Sequence, residues 1–300
     1  MKKNIKPIEI AYQEVRNLPL NSGQDVRFLS SDFAYVRHFQ QLKQFVSFTK
    51  GDLYRLKEGR IMYMLKGNAT FNINLITYHL EAHSLTFLSS DSLIEICDID
   101  ENTDMRFLLI CDAFIRPVCS DELLNPHLGK KICVHLPPSE QLERLVQPFF
   151  TLLEAIISEE PLRREALQHP IVSFLYNIRY MEQERQQRTE HKLSNQEVVF
   201  RKFIALVNRY SLSERNVAFY ADKLCLTPRY LNTLIREASR QTVMYWINKA
   251  IILEAKMNLK QNRDSIAEVS DRLKFANPSF FCKFFKKHTG MTPLQYKKSS

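Results

Sequence analysis

Leu226–Ile247 reads LTPRYLNTLIREASRQTVMYWI. Thr227 stands directly before Pro228, a pairing that opens helices: the hydroxyl caps free backbone N–H groups, and proline is tolerated at the first helical position. Leu231, Leu234, Ile235 and Ala238 then recur at i, i+3, i+4 and i+7 and make one apolar stripe. Arg229, Asn232, Thr233 and Arg236 recur at the same spacing on a second stripe, and no acid falls on it. A merely solvated face mixes Glu with Lys. An acid-free face suits a helix lying among phosphates, where Arg can pair bidentately with guanine and Asn with adenine.

The stretch has a second copy. Asn216–Trp246 is similar to Ser265–Tyr296, with Asp222-Lys223-Leu224 against Asp271-Arg272-Leu273 and Thr242 against Thr292. Each copy predicts a helix, a short turn at Cys225-Leu226 or Lys274-Phe275, and a second helix. The first helices bury Val217, Tyr220, Ala221 and Leu224, and Ile266, Val269 and Leu273; Ser270 stands where Ala221 stood, a small residue that lets two helices cross closely. Asn277 and Pro278 repeat the helix start, and Gly290 is a left-handed cap residue whose place in the first copy is taken by Arg240. In the second copy Phe281, Phe284, Phe285 and His288 make the core stripe, against Ser279, Cys282, Lys283 and Lys286. Arg236, Lys286 and Lys287, toward the helix C-termini, are the phosphate-contact candidates. Between the copies, Ile247, Ile251, Ile252, Ala255 and Leu259 predict one long helix, a stiff connector that would hold two reading helices roughly 34 Å apart, one turn of DNA.

Charge follows this division. The net charge is +9, yet residues 191–300 carry +12 and the remainder −3. A basic module joined to a near-neutral one points to a polyanion as partner of the basic part. The front half has a different texture. Five of the six glycines lie there, and apolar residues alternate: Phe71, Ile73 and Leu75 with Asn72 and Asn74, and Leu85 and Phe87 with Thr86. Turn chemistry at Lys50-Gly51-Asp52, Lys66-Gly67-Asn68 and Ser89-Ser90-Asp91 separates short runs, which predicts an antiparallel sandwich or small barrel. From Pro138 the period lengthens to that of helices. The stripe from Leu142 to Ile157 and the one from Ile171 to Met181 predict two amphipathic helices, which either cover the barrel or form a dimer seam. Met181–Asn195 is polar throughout and predicts a fraying helix end leading into a linker.

With these residues in hand, the tail resembles the DNA-binding domain of AraC/XylS-type transcription regulators. DRLKFANPSFFCKFFKKHTGMTPLQYKK carries the resemblance for the second unit and FYADKLCLTPRYLNTLIRE for the first. The resemblance implies two helix-turn-helix units, about 216–237 and 265–287, with base contacts from their second helices. Carried over by position, these are Arg229, Asn232 and Thr233, then Ser279, Cys282 and Lys283. Lys274 and Arg240 stand where the family has glycine, and Ile251 where it has a basic residue. GRIMYMLKGNATFNINLITYHLEAHSLTFLSSDSLIEI, in the front half, looks like a strand-turn-strand passage of a small cupin barrel, the family's effector sensor.

The expected fold is α+β: a small antiparallel, cupin-like β-barrel with two helices near 138–182, then an all-α domain. The expected boundaries are a sensor and dimerisation domain over 1–182, a linker over 183–194 and a DNA-binding domain over 195–300. The expected function is a bacterial-type, sequence-specific transcription regulator. Its partners would be double-stranded DNA, a small effector in the barrel, RNA polymerase if it activates, and a second copy through helices near 140–182. A cupin-type metalloenzyme with an accessory nucleic-acid module, or a DNA-binding regulator controlled by a protein partner, are the competing readings. For enzyme chemistry there is no His-x-His, no G-x-S-x-G and no glycine-rich phosphate loop, and His38, His79, His83, His127 and His135 do not fall at metal-ligand spacing. No catalytic residue, metal or cofactor is expected. The six cysteines form no CxxC and are expected as reduced thiols. No apolar run reaches ~18 residues, and MKKNIKPIEI has no apolar core, so neither a membrane span nor a signal peptide is expected and the cytoplasm is the expected location.

Overall fold

The computed structural model describes residues 9–10, 26–30, 32–42, 50–51, 53–119, 133–159, 161–190, 194–261 and 264–298. His127, Asp52 and residues 191–193 of the expected linker lie outside them. The chain divides into two compact units, Met1–Gln187 and Arg188–Ser300. The first is built of largely antiparallel sheets with helices, and the second is helical.

Among the described residues, one sheet runs β1 (Glu9–Ile10), β4 (Leu53–Leu56), β9 (Leu93–Ile99), β6 (Ala69–Ile73), β7 (Ile76–Leu80), with β1 parallel to β4. The other runs β11 (Cys133–Leu136), β8 (Leu85–Leu88), β5 (Gly59–Lys66), β10 (Asp104–Ile110), β3 (Phe33–Val36), β2 (Val26–Ser30). One hydrophobic cluster draws on both: Met62, Met64, Phe107 and Leu109 from the second sheet, and Phe71, Ile73, Ile94 and Ile96 from the first. Successive side chains of a strand point to opposite faces. Ile61, Tyr63, Leu108 and Ile110, the alternate residues of β5 and β10, therefore join a second cluster behind the sheet. Burial on both faces is why β5 reads GRIMYMLK without clean alternation, whereas β6 alternates buried and half-buried.

The alternation seen in the sequence runs one step too far at Leu75. β6 ends at Ile73, and Asn74 and Leu75 form the two-residue turn into β7 with φ 48° and 82°. That geometry matches the twist of the paired strands. Asn74 holds it from the side: its Oδ1 accepts the Leu93 N–H at 2.9 Å and its Nδ2 donates to Ser92 Oγ at 3.1 Å.

Behind the six-stranded sheet lie α3 (Glu140–Ile157) and α4 (Arg164–Glu190); α1 (Phe39–Leu42) and α2 (Asp112–Ile115) are single turns. Ser139 caps α3 by accepting the Leu142 N–H at 3.1 Å. Leu142, Val146, Phe150, Leu153, Ile171 and Ile178 pack onto Phe33, Tyr35, Ile61 and Tyr63. Each such side chain, fully buried, contributes about 1.5–3 kcal/mol. Of the two uses open to the stripe, covering the sheet is the one observed, so it offers no free dimer seam. What α3 and α4 leave outward is Leu152 and Tyr180, 49% and 61% exposed. The linker expected from residue 183 is still helix as far as Glu190. With no Gly or Pro to break it, the polar run continues α4, and Arg185 Nε pairs back onto Glu182 Oε2 at 2.7 Å.

The front-half histidines are spread among separate partners. His38 Nδ1 lies 2.7 Å from Asp104, His79 Nδ1 3.1 Å from Thr70, His135 Nδ1 3.0 Å from Thr86, and His83 beside Tyr63 and Glu143. Among the described residues no three His, Cys, Asp or Glu side chains converge as a metal site would need.

The second unit comprises α5 (Asn195–Tyr210), α6 (Val217–Lys223), α7 (Pro228–Ser239), α8 (Val243–Gln261), α9 (Ile266–Arg272), α10 (Pro278–Thr289) and α11 (Pro293–Lys298). α8 is the long connecting helix, buried along Ile247, Ile251, Ala255 and Leu259. Ile251, standing where a basic residue is usual, is wholly enclosed, so it is core. α9, α10 and α8 share one cluster of Val269, Leu273, Phe281, Phe285, Ile252 and Leu259.

Candidate nucleic-acid interface

The pairs α6–α7 and α9–α10 are built alike. Asn216 starts α6 by accepting the Ala218 N–H at 3.0 Å; Ser265 starts α9 by accepting the Glu268 N–H at 3.2 Å, while Glu268 accepts the Ser265 N–H at 2.7 Å. These hydrogen bonds hold the Glu268 carboxyl below the usual carboxylate range. The turns close with the same hydrogen bond, the second being one residue longer before its cap. Leu226 N–H donates to Ala221 O at 2.9 Å and Phe275 N–H to Ser270 O at 3.0 Å, with Cys225 and Lys274 left-handed at φ 55° and 56°. The small pair Ala221 and Ser270 is buried at the crossing. Thr227 and Asn277 cap α7 and α10 by accepting the Tyr230 and Phe280 N–H groups at 3.2 and 3.0 Å.

These caps and buried stripes fix which way each second helix faces. α7 turns Leu231, Leu234 and Ile235 inward and leaves Arg229, Thr233 and Arg236 exposed, with Asn232 half-buried. α10 turns Phe281 and Phe285 inward, with Ser279, Lys283, Lys286 and Lys287 exposed and Cys282 half-buried. His288, expected on the core stripe, is exposed and lies against Phe284, ring centroids 4.6 Å apart. Among the described residues, no acid pairs with Arg229, Arg236, Lys283, Lys286 or Lys287. Glu237 sits off the cationic stripe and accepts from Gln196 on α5 at 3.0 Å.

Arg229, Asn232, Thr233 and Arg236 line a hollow of about 460 Å³ together with Thr242 and Met244. The last two belong to the start of α8, and reading stripes on single helices does not find them. The signal was available in the repeat: Thr292 and Leu294 occupy the same places after α10. Met244 and Leu294 are both exposed, as are Tyr230 and Phe280 at 47% and 59%. Neither Tyr230 nor Phe280 packs into a core.

Within the hollow, Asn232 Oδ1 accepts the Val243 N–H at 3.2 Å, and Thr233 Oγ1 donates to Arg229 O at 3.2 Å. Arg229 and Arg236 have no such tether among the described residues and extend into solvent as charges that a polyanion could meet.

Residues 220–299 match the helix-turn-helix domain family. The chain is 32% identical to the arabinose operon regulatory protein of Escherichia coli K12 over 85 residues, 28% of this chain and 29% of that protein. It is 29% identical to the uncharacterized transcriptional regulatory protein YesN of Bacillus subtilis over 79 residues, 26% of this chain and 22% of that one. The chain thus spans less than a third of the length of these two relatives. The uncharacterized HTH-type transcriptional regulator YdiP of E. coli is 19% identical over 80% of this chain and 78% of its own length. Among solved structures, ToxT of Vibrio cholerae aligns with 89% of this chain and 98% of its own at 15% identity and a TM-score of 0.37. Residues 220–299 thus carry a helix-turn-helix domain similar to that of the arabinose operon regulatory protein.

Proposed function

We propose that the chain is a sequence-specific DNA-binding transcription regulator whose two helix-turn-helix units, α6–α7 and α9–α10, enter consecutive major grooves on one side of the duplex. The observation that carries this reading is the duplicated cationic face. Two helices of the same construction present exposed Arg or Lys with no acid paired to them among the described residues, in the part of the chain that holds all its excess positive charge. Arg229 and Thr233 on α7, and Ser279, Cys282 and Lys283 on α10, are the base-contact candidates. Arg236, Lys286 and Lys287 contact phosphate and supply affinity without sequence preference. The exposed rings of Tyr230 and Phe280 lie against sugar at the groove edge.

The two-sheet unit is read as a cupin-like sensor. A small effector bound there alters DNA affinity only if it binds one conformation better than another. A second copy would associate through the outer faces of α3 and α4, where Leu152 and Tyr180 are exposed, and RNA polymerase is the further partner if the protein activates. No described helix is long and apolar enough to cross a membrane, and the cytoplasm is the proposed location.

The test is a footprint on a duplex selected from random sequence by the full chain. Protection of two major-groove segments about one turn apart on one face is expected. Equal binding to all sequences at every salt concentration overturns the proposal.

A further inference from the structure

The two copies differ in how the helix after α7 or α10 starts. In the first, Val243 opens α8, is fully buried, and gives its backbone N–H to Asn232 Oδ1 at 3.2 Å. The first N–H groups of a helix have no partner within it, so a buried helix start needs an outside acceptor. In the second copy Pro293 opens α11 at the equivalent place, buried as well, and Cys282 stands where Asn232 does. Proline has no N–H to satisfy. An acceptor is thus present in the copy that has a donor and missing in the copy that lacks one.

From this pairing we infer that Asn232 is a positioning residue that fastens α7 to the start of α8, and that it does not read adenine. The inference rests on the DNA-binding reading above and sharpens it. Bidentate recognition of adenine needs the amide oxygen to accept from N6 and the amide nitrogen to donate to N7. That oxygen already accepts the Val243 N–H, so a bond from N6 would have to share it in a direction the tether fixes. A single donor to N7 does not separate adenine from guanine, since both present that acceptor. What Asn232 does instead is hold Arg229, Thr233 and Arg236 in fixed relation to Thr242 and Met244, the other walls of the same hollow. Base selection by the first unit then falls to Arg229 and Thr233.

The test compares Asn232→Ala, Asn232→Ala with Val243→Pro, and Asn232→Asp in the full chain. Melting without DNA is measured, together with binding to a duplex selected by the wild-type chain and to its single-base variants. Asn232→Ala is expected to lower Tm by about 3 °C and to weaken all the duplexes by one common factor. Adding Val243→Pro removes the orphaned donor, copies the second unit, and is expected to restore both. Asn232→Asp keeps an acceptor oxygen beside the helix start and is expected to hold Tm. That arm decides the matter even if the proline variant does not fold. An unchanged Tm in Asn232→Ala, with lost discrimination at one base pair that Val243→Pro does not restore, overturns the inference. If the wild-type chain selects no duplex, the DNA-binding reading fails, while the melting arms still judge the tether.

Discussion

Arg240 and Gly290 end α7 and α10 in the same left-handed backbone, at φ 59° and 78°, each donating its N–H to the carbonyl four residues back, Arg236 or Lys286, at 2.9 Å. Glycine adopts this region freely, whereas a residue with a Cβ is strained there by about 1–2 kcal/mol, partly offset by the greater freedom glycine loses on folding. Arg240→Gly is therefore expected to stabilise the helical unit by about 0.5–1 kcal/mol. Gly290→Ala is expected to destabilise it by about 1 kcal/mol through the backbone alone, since a Cβ there meets nothing within 4 Å. Urea unfolding of the full chain and both variants checks the pair; equal shifts of one sign would refute the shared geometry.

Ser270 faces the same helix crossing as Ala221, and its Oγ is buried with no hydrogen-bond partner among the described residues. A buried hydroxyl without a partner costs about 1–3 kcal/mol of lost hydration. Ser270→Ala removes the hydroxyl and keeps the small size the crossing needs. A gain of about 1 kcal/mol in unfolding free energy is expected, and a loss would mean that the hydroxyl has a partner in solution.

How far these features could be read from sequence depends on how local their causes are. Helices α7 and α10 were legible because a cap, a following proline and an i, i+3, i+4 stripe are neighbours along the chain, and the second copy repeats them. Leu75 was not legible. Its alternation with Ile73 continues through the turn, and nothing local announces a leucine at φ 82°; Asn74 is held there by Ser92 and Leu93, distant in sequence. The Asn232 tether is hidden for the same reason, since its acceptor role exists only once the start of α8 folds against α7. The polar end of α4 was legible as a fraying helix end, but not how far the helix runs: it continues to Glu190, with Arg185 paired to Glu182 one turn back.

Arg229 and Lys286 are expected to fail differently. Arg229→Ala should cost about 1–3 kcal/mol on the selected duplex and relax the preference at one base pair. Lys286→Ala should weaken every duplex alike and lower the slope of log affinity against log salt by about 1. Phe280→Ala leaves the exposed side of α10 without a core contact to lose, so melting is expected to hold while DNA affinity falls. Filter binding across a salt series separates the three; identical behaviour of Arg229→Ala and Lys286→Ala would show that neither reads bases.

Acid is expected to weaken the front unit through His135. Burial, with Arg185 adding to it, lowers the His135 pKa, and Glu182 opposes. The folded chain therefore binds this proton more weakly than the unfolded chain. The contribution to stability is full above the ordinary histidine value near 6.5, declines as the pH falls below it, and levels off once the folded form is protonated too. Melting of the full chain and of His135→Gln at about pH 7.5 and about pH 5.5 checks this. The variant should lose less Tm on acidification; an equal loss assigns the effect to other groups.

Arg215 joins the start of the first helix pair to the turn of the second. Its Nη2 donates to the Leu273 carbonyl at the end of α9, and its guanidinium lies 4.1 Å from the centroid of the Phe275 ring. Leu273 is the last buried residue before the left-handed Lys274, so its carbonyl is one that the helix itself cannot satisfy. A charged donor on such a group contributes about 1.5–3 kcal/mol, and the stacked ring adds to it. Arg215→Ala is expected to cost that much in unfolding free energy. Arg215→Lys should recover little, because an ammonium lacks the planar fork that reaches the carbonyl while lying over Phe275. Since α10 is held by the same turn, both variants should also weaken DNA binding, with the loss spread over the bases proposed for Ser279, Cys282 and Lys283 and sparing those proposed for Arg229. Full recovery by lysine would reduce the contact to simple charge, and a loss confined to the first unit would place the brace elsewhere.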